Sequence, residues 1–97
     1  MPAKTYRLSP LAEADLEEIW HYTFHRWSLE QADSYLRSLV TTFELIVEGR
    51  KQGRAVDVRP GYLKYLVGAH VIYFKAIEER IEIIRVLHSG MDVDRHL

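Results

Sequence analysis

The chain has no cysteine, which removes a disulfide framework, a thiolate metal site and a cysteine nucleophile together. No apolar run approaches the ~20 residues that cross a bilayer as a helix. The opening MPAKTYRLSP lacks the apolar centre of a secretory signal, so the cytoplasm is the expected location. No internal repeat, low-complexity tract or linker interrupts the 97 residues, and one domain over residues 1–97 is expected. Nor is there an excess of one charge. A formal net charge of −1 excludes a simple polycation that coats nucleic acid.

That near-neutral total conceals a division. From Leu11 to Tyr35 the acids Glu13, Asp15, Glu17, Glu18, Glu30 and Asp33 face Arg26 alone. From Arg50 to Lys64 the bases Arg50, Lys51, Arg54, Arg59 and Lys64 face Asp57 alone. An acidic first half joined to a basic middle implies either an acidic partner for that middle or two solvated faces of opposite sign.

Tyr6 to Leu8 reads as a short strand. Ser9-Pro10 then supplies a helix start, since the Ser hydroxyl can cap free N–H groups and Pro at the first helical position loses no bond. Ala12, Leu16, Ile19 and Thr23 follow at helical spacing, with Trp20 and Trp27 beside them. Ser28 opens a second helix with a capping-box pattern, Trp27 being placed to pack on Ala32 as a staple. Leu29, Ala32, Leu36, Leu39, Phe43 and Ile46 form its stripe, which Gly49 ends. After Gly49 the pattern turns to strands: a short extended stretch at Val56–Arg59, then Tyr62–Val67, His70–Ile77 and Ile81–Leu87. Both faces of the last two are apolar, as for central strands. His88 to Leu97 has no periodicity and reads as an ordered or semi-ordered tail. The fold class is α+β: an N-terminal strand and an α-helical hairpin packed on a small, largely antiparallel sheet.

Specific residues carry a family resemblance. Tyr6-x-Leu8-Ser9-Pro10-x-Ala12-x-x-Asp15-Leu16-x-x-Ile19 resembles the strand-to-helix entry of the RelE/ParE toxins. Gly53-Arg54 with Asp57-x-Arg59-Pro60-Gly61-Tyr62 resembles the ParE form of the approach to the sheet. His70-Val71-Ile72-Tyr73-Phe74 is similar to the central strand, and Ile84-Arg85-Val86-Leu87-His88 with Met91-Asp92 to the closing strand and tail. These segments span nearly the whole chain in the family's order.

The ParE branch implies the toxin half of a type II toxin–antitoxin pair that inhibits DNA gyrase. It also implies neutralisation by a ParD-like antitoxin, with nucleic acid engaged only through the gyrase–DNA complex. The RelE branch implies ribosome-dependent mRNA cleavage, in which the attacking 2′-OH needs a proton acceptor and the phosphorane needs cations. None of the six tyrosines lies in the tail and few lysines follow Lys64, so gyrase inhibition without catalysis is the expectation. The nuclease alternative would use Arg85, His88 and His96.

For a binding protein, Arg59, Arg85, His88, Met91, Asp92 and Arg95 are the candidate target contacts. Trp20, Trp27, Leu36, Arg54 and Tyr73 are the candidate antitoxin contacts. Each has a structural counterpart reading. The arginines would pair internally with Asp57, Glu82 or the acidic helix. The tryptophans would be core, which is the expectation for both. His88 would end a strand and bond locally, and His96 would be a solvent-exposed terminal residue. His21 and His25 stand four apart, but Tyr22 occupies the position where a zinc protease needs Glu. Surface histidines, no metal and no cofactor are expected.

Overall fold

The polypeptide enters on strand β1 (Thr5–Leu8) and turns at Ser9 into helix α1 (Pro10–Arg26). Ser9 makes that turn through three bonds. Its Oγ accepts from Ala12 N at 3.0 Å and donates to Ile84 O at 2.7 Å, and its own N–H donates to Ile83 O at 3.0 Å. The helix cap is thus also a bolt to the sheet. In this computed structural model, which describes residues 5–57, 59–91 and 93–97, helix α2 (Leu29–Val47) follows after a two-residue connection. Its N-cap Ser28 accepts from Gln31 N at 3.1 Å. Beyond Gly49, whose φ of +78° suits a residue without Cβ, come β2 (Arg54–Ala55), β3 (Leu63–Val67), β4 (His70–Ile77) and β5 (Arg80–His88). The four-residue helix α3 (Val93–His96) closes the chain.

The five strands lie in the order β1-β5-β4-β3-β2. Three neighbouring pairs are antiparallel and β1–β5 is parallel, so the N-terminal strand caps the edge beside β5. Both helices cover one face. Leu39, Phe43, Ile72 and Ile83 are fully buried between them and the sheet, within a core completed by Ala12, Leu16, Ile19, Ile46, Phe74, Ile81 and Val86. The open face holds a smaller cluster, Val56, Tyr73 and Leu87, against which Tyr62, Val71, Val93 and Leu97 pack.

One irregularity controls which side chain meets which face. Tyr73 pairs with Arg85 but Phe74 pairs with Ile83, leaving Ile84 as an extra residue in β5. Such a bulge shifts the two-residue alternation by one. Ile81 and Ile83 face the helices before it, and Val86 after it, whereas Leu87 joins the open-face cluster.

Three expectations change. The extended stretch placed at Val56–Arg59 lies instead at Arg54–Ala55. Val56 turns inward, its N–H bonded to Tyr62 O at 3.0 Å, and Arg59 sits in the turn that follows; Val58 is outside the described residues. The tail, expected to be ordered or semi-ordered without periodicity, holds a helical turn. Val93 and Leu97, four apart, seat one helical turn on the open-face cluster, and Leu97 N donates to Val93 O at 2.9 Å. Neither tryptophan is core: Trp27 is 62% exposed, with the Arg26 guanidinium over its ring at 4.7 Å, and Trp20 is half-buried on the helical hairpin, outside both buried clusters.

Candidate functional site

Beyond Leu8 no strand continues beside β5, and α1 takes over that edge. Asp15 sits in the apolar stripe of α1 and is itself buried. Its Oδ2 accepts from the backbone N–H of Val86 at 2.9 Å and from Arg85 Nε at 2.8 Å, and its Oδ1 accepts from Arg85 Nη2 at 2.9 Å. The remaining Arg85 nitrogen, Nη1, donates to the carbonyl of His96 at 2.9 Å. A bidentate, charge-assisted pair of this kind is strong and directional. The Asp15 carboxylate raises the Arg85 pKa further. Of the internal partners foreseen for Arg85, the acidic helix is the one it takes, and through His96 it ties α1, β5 and the tail together.

Past this clamp the helical hairpin and the end of the sheet diverge, leaving a groove of about 900 Å³. Tyr35 of α2, His70 at the start of β4 and His88 at the end of β5 line its sheet end, and Tyr22, Trp27 and Met91 its apolar rim. Tyr22 and Trp27 are 69% and 62% exposed, and Met91 44%, more apolar surface than single scattered residues present.

The β3–β4 turn fixes the inner wall. Gly68 has φ +56°, and a Cβ there would stand 2.8 Å from the Tyr35 hydroxyl, so only glycine lets the ring reach the turn. The Tyr35 hydroxyl accepts from Ala69 N at 3.2 Å, lies 2.6 Å from His70 Nδ1, and can donate to Val67 O at 3.3 Å. These partners satisfy either form of the ring. Neutral His70 accepts the phenol proton at Nδ1; charged His70 donates from Nδ1, and the phenol proton turns to Val67 O. Burial lowers the His70 pKa below its ordinary value, the His88 charge lowers it further, and Asp15 opposes both. Burial raises Tyr35. The two imidazoles are cross-strand partners with ring centroids 5.6 Å apart, edge to face. His88 Nδ1 accepts from Gly90 N at 3.1 Å, the local bond foreseen for a strand-terminal histidine.

The residues singled out from sequence fall on three surfaces. Trp27, Arg85, His88, Met91 and His96 meet at this groove. Trp20 and Leu36 line a shallower apolar hollow on the helical hairpin; Trp20 stacks on Phe24 at 5.3 Å and donates from Nε1 to Asp33 at 2.9 Å. Arg54 and Tyr73 belong to the open face of the sheet, Tyr73 buried at 4% exposure. Arg59 and Arg95 are exposed, in the β2–β3 turn and on α3. Asp92 lies outside the described residues. His21 and His25 are exposed, with rings 6.5 Å apart, and among the described residues no group of three or more His, Cys, Asp or Glu could hold a metal. Sequence reasoning missed Tyr35, His70 and the role of Asp15. A carboxylate inside an otherwise apolar helical stripe was the available signal for Asp15; nothing in the linear pattern joins Tyr35 to His70.

The fold is shared with chains of two solved toxin–antitoxin systems. It superposes on a chain of a chromosomal ParDE system from P. aeruginosa with TM-score 0.76 at 19% identity, covering 89% of this chain and 95% of that one. It also matches a chain of the RelBE2 toxin–antitoxin complex from Mycobacterium tuberculosis with TM-score 0.65 at 19% identity, covering 91% and 99%. At sequence level, residues 6–93 match the family described as the ParE toxin of the type II toxin–antitoxin system parDE. Toxin ParE1 of Mycobacterium tuberculosis (strain CDC 1551 / Oshkosh) is 46% identical over 94 residues, 95% of this chain and 96% of its own length. Toxin ParE1 of Caulobacter vibrioides is 44% identical over 95 residues, 97% and 98% of the two chains. The chain belongs to the ParE toxin family of type II toxin–antitoxin systems.

Proposed function

We propose that this chain, as a single toxin domain, arrests growth in the cytoplasm by binding DNA gyrase rather than by cleaving RNA, and that a ParD-like antitoxin silences it. The observation carrying the choice is the engagement of Arg85. A phosphorane needs a cation free to receive it. Here Asp15 holds the guanidinium at two nitrogens and the His96 carbonyl takes a third, so Arg85, the fixed cation of the trio Arg85, His88 and His96, is already committed to internal partners. An inhibitor needs a complementary surface and no nucleophile.

The groove suits the antitoxin. Its rim of Tyr22, Trp27 and Met91 offers apolar anchors of the kind that receive the apolar face of a short amphipathic helix. Aromatic anchors of that type dominate binding energy. Trp27→Ala is therefore expected to weaken the complex by on the order of 2 kcal/mol while leaving the fold intact. Target contacts would fall on the exposed tail residues Met91 and Arg95, with Arg59 beside the sheet.

The test is a supercoiling assay with the purified full-length chain, with and without the antitoxin encoded beside it. Loss of supercoiling or accumulation of cleaved DNA, relieved by the antitoxin, is the expected result. Gyrase left untouched at stoichiometric excess overturns it. Codon-specific cuts on translating ribosomes that vanish in His88→Ala would put the nuclease in its place.

A further inference from the structure

The strand register gathers cations that the sequence scatters. Lys64 of β3 is opposite Arg54 on one side and Tyr73 on the other. Tyr73 is a residue of the open face, so Lys64 and Arg54 share that face. Two residues along, Lys75 of β4 is opposite Glu82, and Glu82 is opposite Arg7 of β1. Arg80 stands two residues before Glu82 in β5, hence on the same face. Five cations, Arg7, Arg54, Lys64, Lys75 and Arg80, therefore cross all five strands of the side that the helical hairpin leaves open.

Glu82 is the one carboxylate on the strands of this face among the described residues. Arg80 Nε lies 2.8 Å from its Oε1 without hydrogen-bond alignment. Lys75 Nζ is held 5.0 Å from the Tyr62 ring centre. At roughly 4.8 Å per strand the stripe is about 19 Å wide. That is the rise of five to six base pairs at ~3.4 Å each. The segregation is not a matter of composition, because the whole chain carries −1. Of the other acids, Glu13, Glu17, Glu18, Glu30, Asp33 and Glu44 lie on α1 and α2, away from this stripe, while Glu78 and Glu79 sit in the β4–β5 turn at its edge, Asp57 in the β2–β3 connection and Asp94 on α3.

We propose that the open face of the sheet binds the phosphate backbone of a nucleic acid directly, across Arg54, Lys64, Lys75, Arg80 and Arg7. The inference goes beyond the gyrase reading and does not rest on it. The contact is electrostatic and independent of base sequence. It requires no free Arg85 and no catalytic group. In a cleaved gyrase–DNA complex, it would let one small domain hold protein and DNA at once, the groove and tail being left for protein partners.

The experiment is fluorescence anisotropy of the full-length chain with a labelled 20-base-pair DNA duplex and an RNA duplex of equal length, titrated at salt from about 50 to about 200 mM. With about four phosphates neutralised, the logarithm of the binding constant should fall with log salt at a slope near −3.6. Lys64→Gln with Arg54→Gln, both exposed, should reduce that slope by about two and leave thermal melting unchanged. Arg37→Gln on α2 should leave the slope unaltered. Comparison of DNA with RNA then reads which backbone is preferred. The proposal is overturned if neither duplex binds at the lowest salt, if the double variant keeps the full slope, or if Arg37→Gln reduces it as much. It is overturned equally if a labelled polyglutamate peptide binds while both duplexes fail, which would make the stripe a docking face for an acidic segment of a protein.

Discussion

The two faces of this sheet are made from the same strands and are built on opposite terms. The helix-covered face is a continuous apolar core in which Leu39, Phe43, Ile72 and Ile83 are wholly shielded. Among the described residues the open face buries Val56, Tyr73 and Leu87, under a single helical turn, and elsewhere presents cations beside Glu82 and the exposed Leu66 and Ile77. Stability is thus concentrated on one side, and the other is free to carry interactions. The difference also shows how little sequence is needed to divide the labour. The Ile84 bulge, one residue in β5, reverses the alternation so that Leu87 serves the open face while Val86 stays with the helices.

The comparison is tested most severely by truncating one buried side chain on each face. Phe43→Ala, at the centre of the covered face, is expected to cost about 3–5 kcal/mol, a large share of the ~5–15 kcal/mol available to a domain of this size. Leu87→Ala should cost less, roughly 2 kcal/mol, because its neighbours belong to a short terminal turn that can collapse into the space. Urea unfolding midpoints compare the two. Equal losses would mean that α3 is as integral to the fold as the helical hairpin, and the asymmetry between faces would be wrong.

The second test addresses the joint between the faces. Asp15→Ala leaves Arg85 without its two carboxylate bonds and strands the Val86 N–H, and breaking such a shielded pair typically costs about 3 kcal/mol. Glu82→Gln, which removes the partly exposed pair with Arg80, should cost less than about 1 kcal/mol. The measured contrast shows whether the clamp at the β5 edge, rather than charge pairing in general, unites helix, strand and tail. Comparable losses would dissolve the distinction. The same clamp makes deletion of the tail a poor probe of function, since removing Val93 and Leu97 uncovers Tyr73 and Leu87. Point changes at Met91 and Arg95 avoid this.

Much of the covered face was readable in advance. Capping residues Ser9 and Ser28, the stripe through Leu39 and Phe43, and the break between the strands Tyr62–Val67 and His70–Ile77 all act locally, within a few residues of where they are written. The family resemblance rested on such segments. What escaped reading depends on pairing between distant residues. Nothing in IEIIRVL tells that Ile84 is unpaired, and without that bulge the face of every later residue is misassigned. Asp15 lies 70 positions from Arg85, and Tyr35 lies 35 from His70. Trp27 misled for a different reason: a large apolar side chain beside an amphipathic stripe is ordinarily buried, and only the angle of the helical connection leaves it in solvent. The cation stripe was visible only as a basic middle, because Arg7, Lys75 and Arg80 join it through register and not through proximity in sequence.

The smallest expected effect lies at the seam, where His70 ends the covered face and enters the groove. Burial and the neighbouring His88 charge hold its pKa below the ordinary 6.5, against the opposing pull of Asp15. An unfolded chain therefore binds a proton at this residue at a pH where the folded chain still excludes it. Stability from this group is complete above about pH 6.5 and falls away as the pH drops through the window between 6.5 and the lower folded value. Urea midpoints measured from about pH 7.5 to about pH 5 should decline in the wild-type chain and decline less in His70→Asn, whose amide can still accept the Tyr35 proton. The difference between the two curves removes the contributions of the other histidines. Because His70 is only half-buried, and Tyr35 can serve either protonation state by turning its proton between Nδ1 and Val67 O, the decline should be shallow. A steep one would mean that the turn loses its hold on Tyr35 when His70 is charged. Identical curves would mean that the groove is open enough for water to solvate the imidazolium, and that the covered face ends one residue earlier, at Ile72.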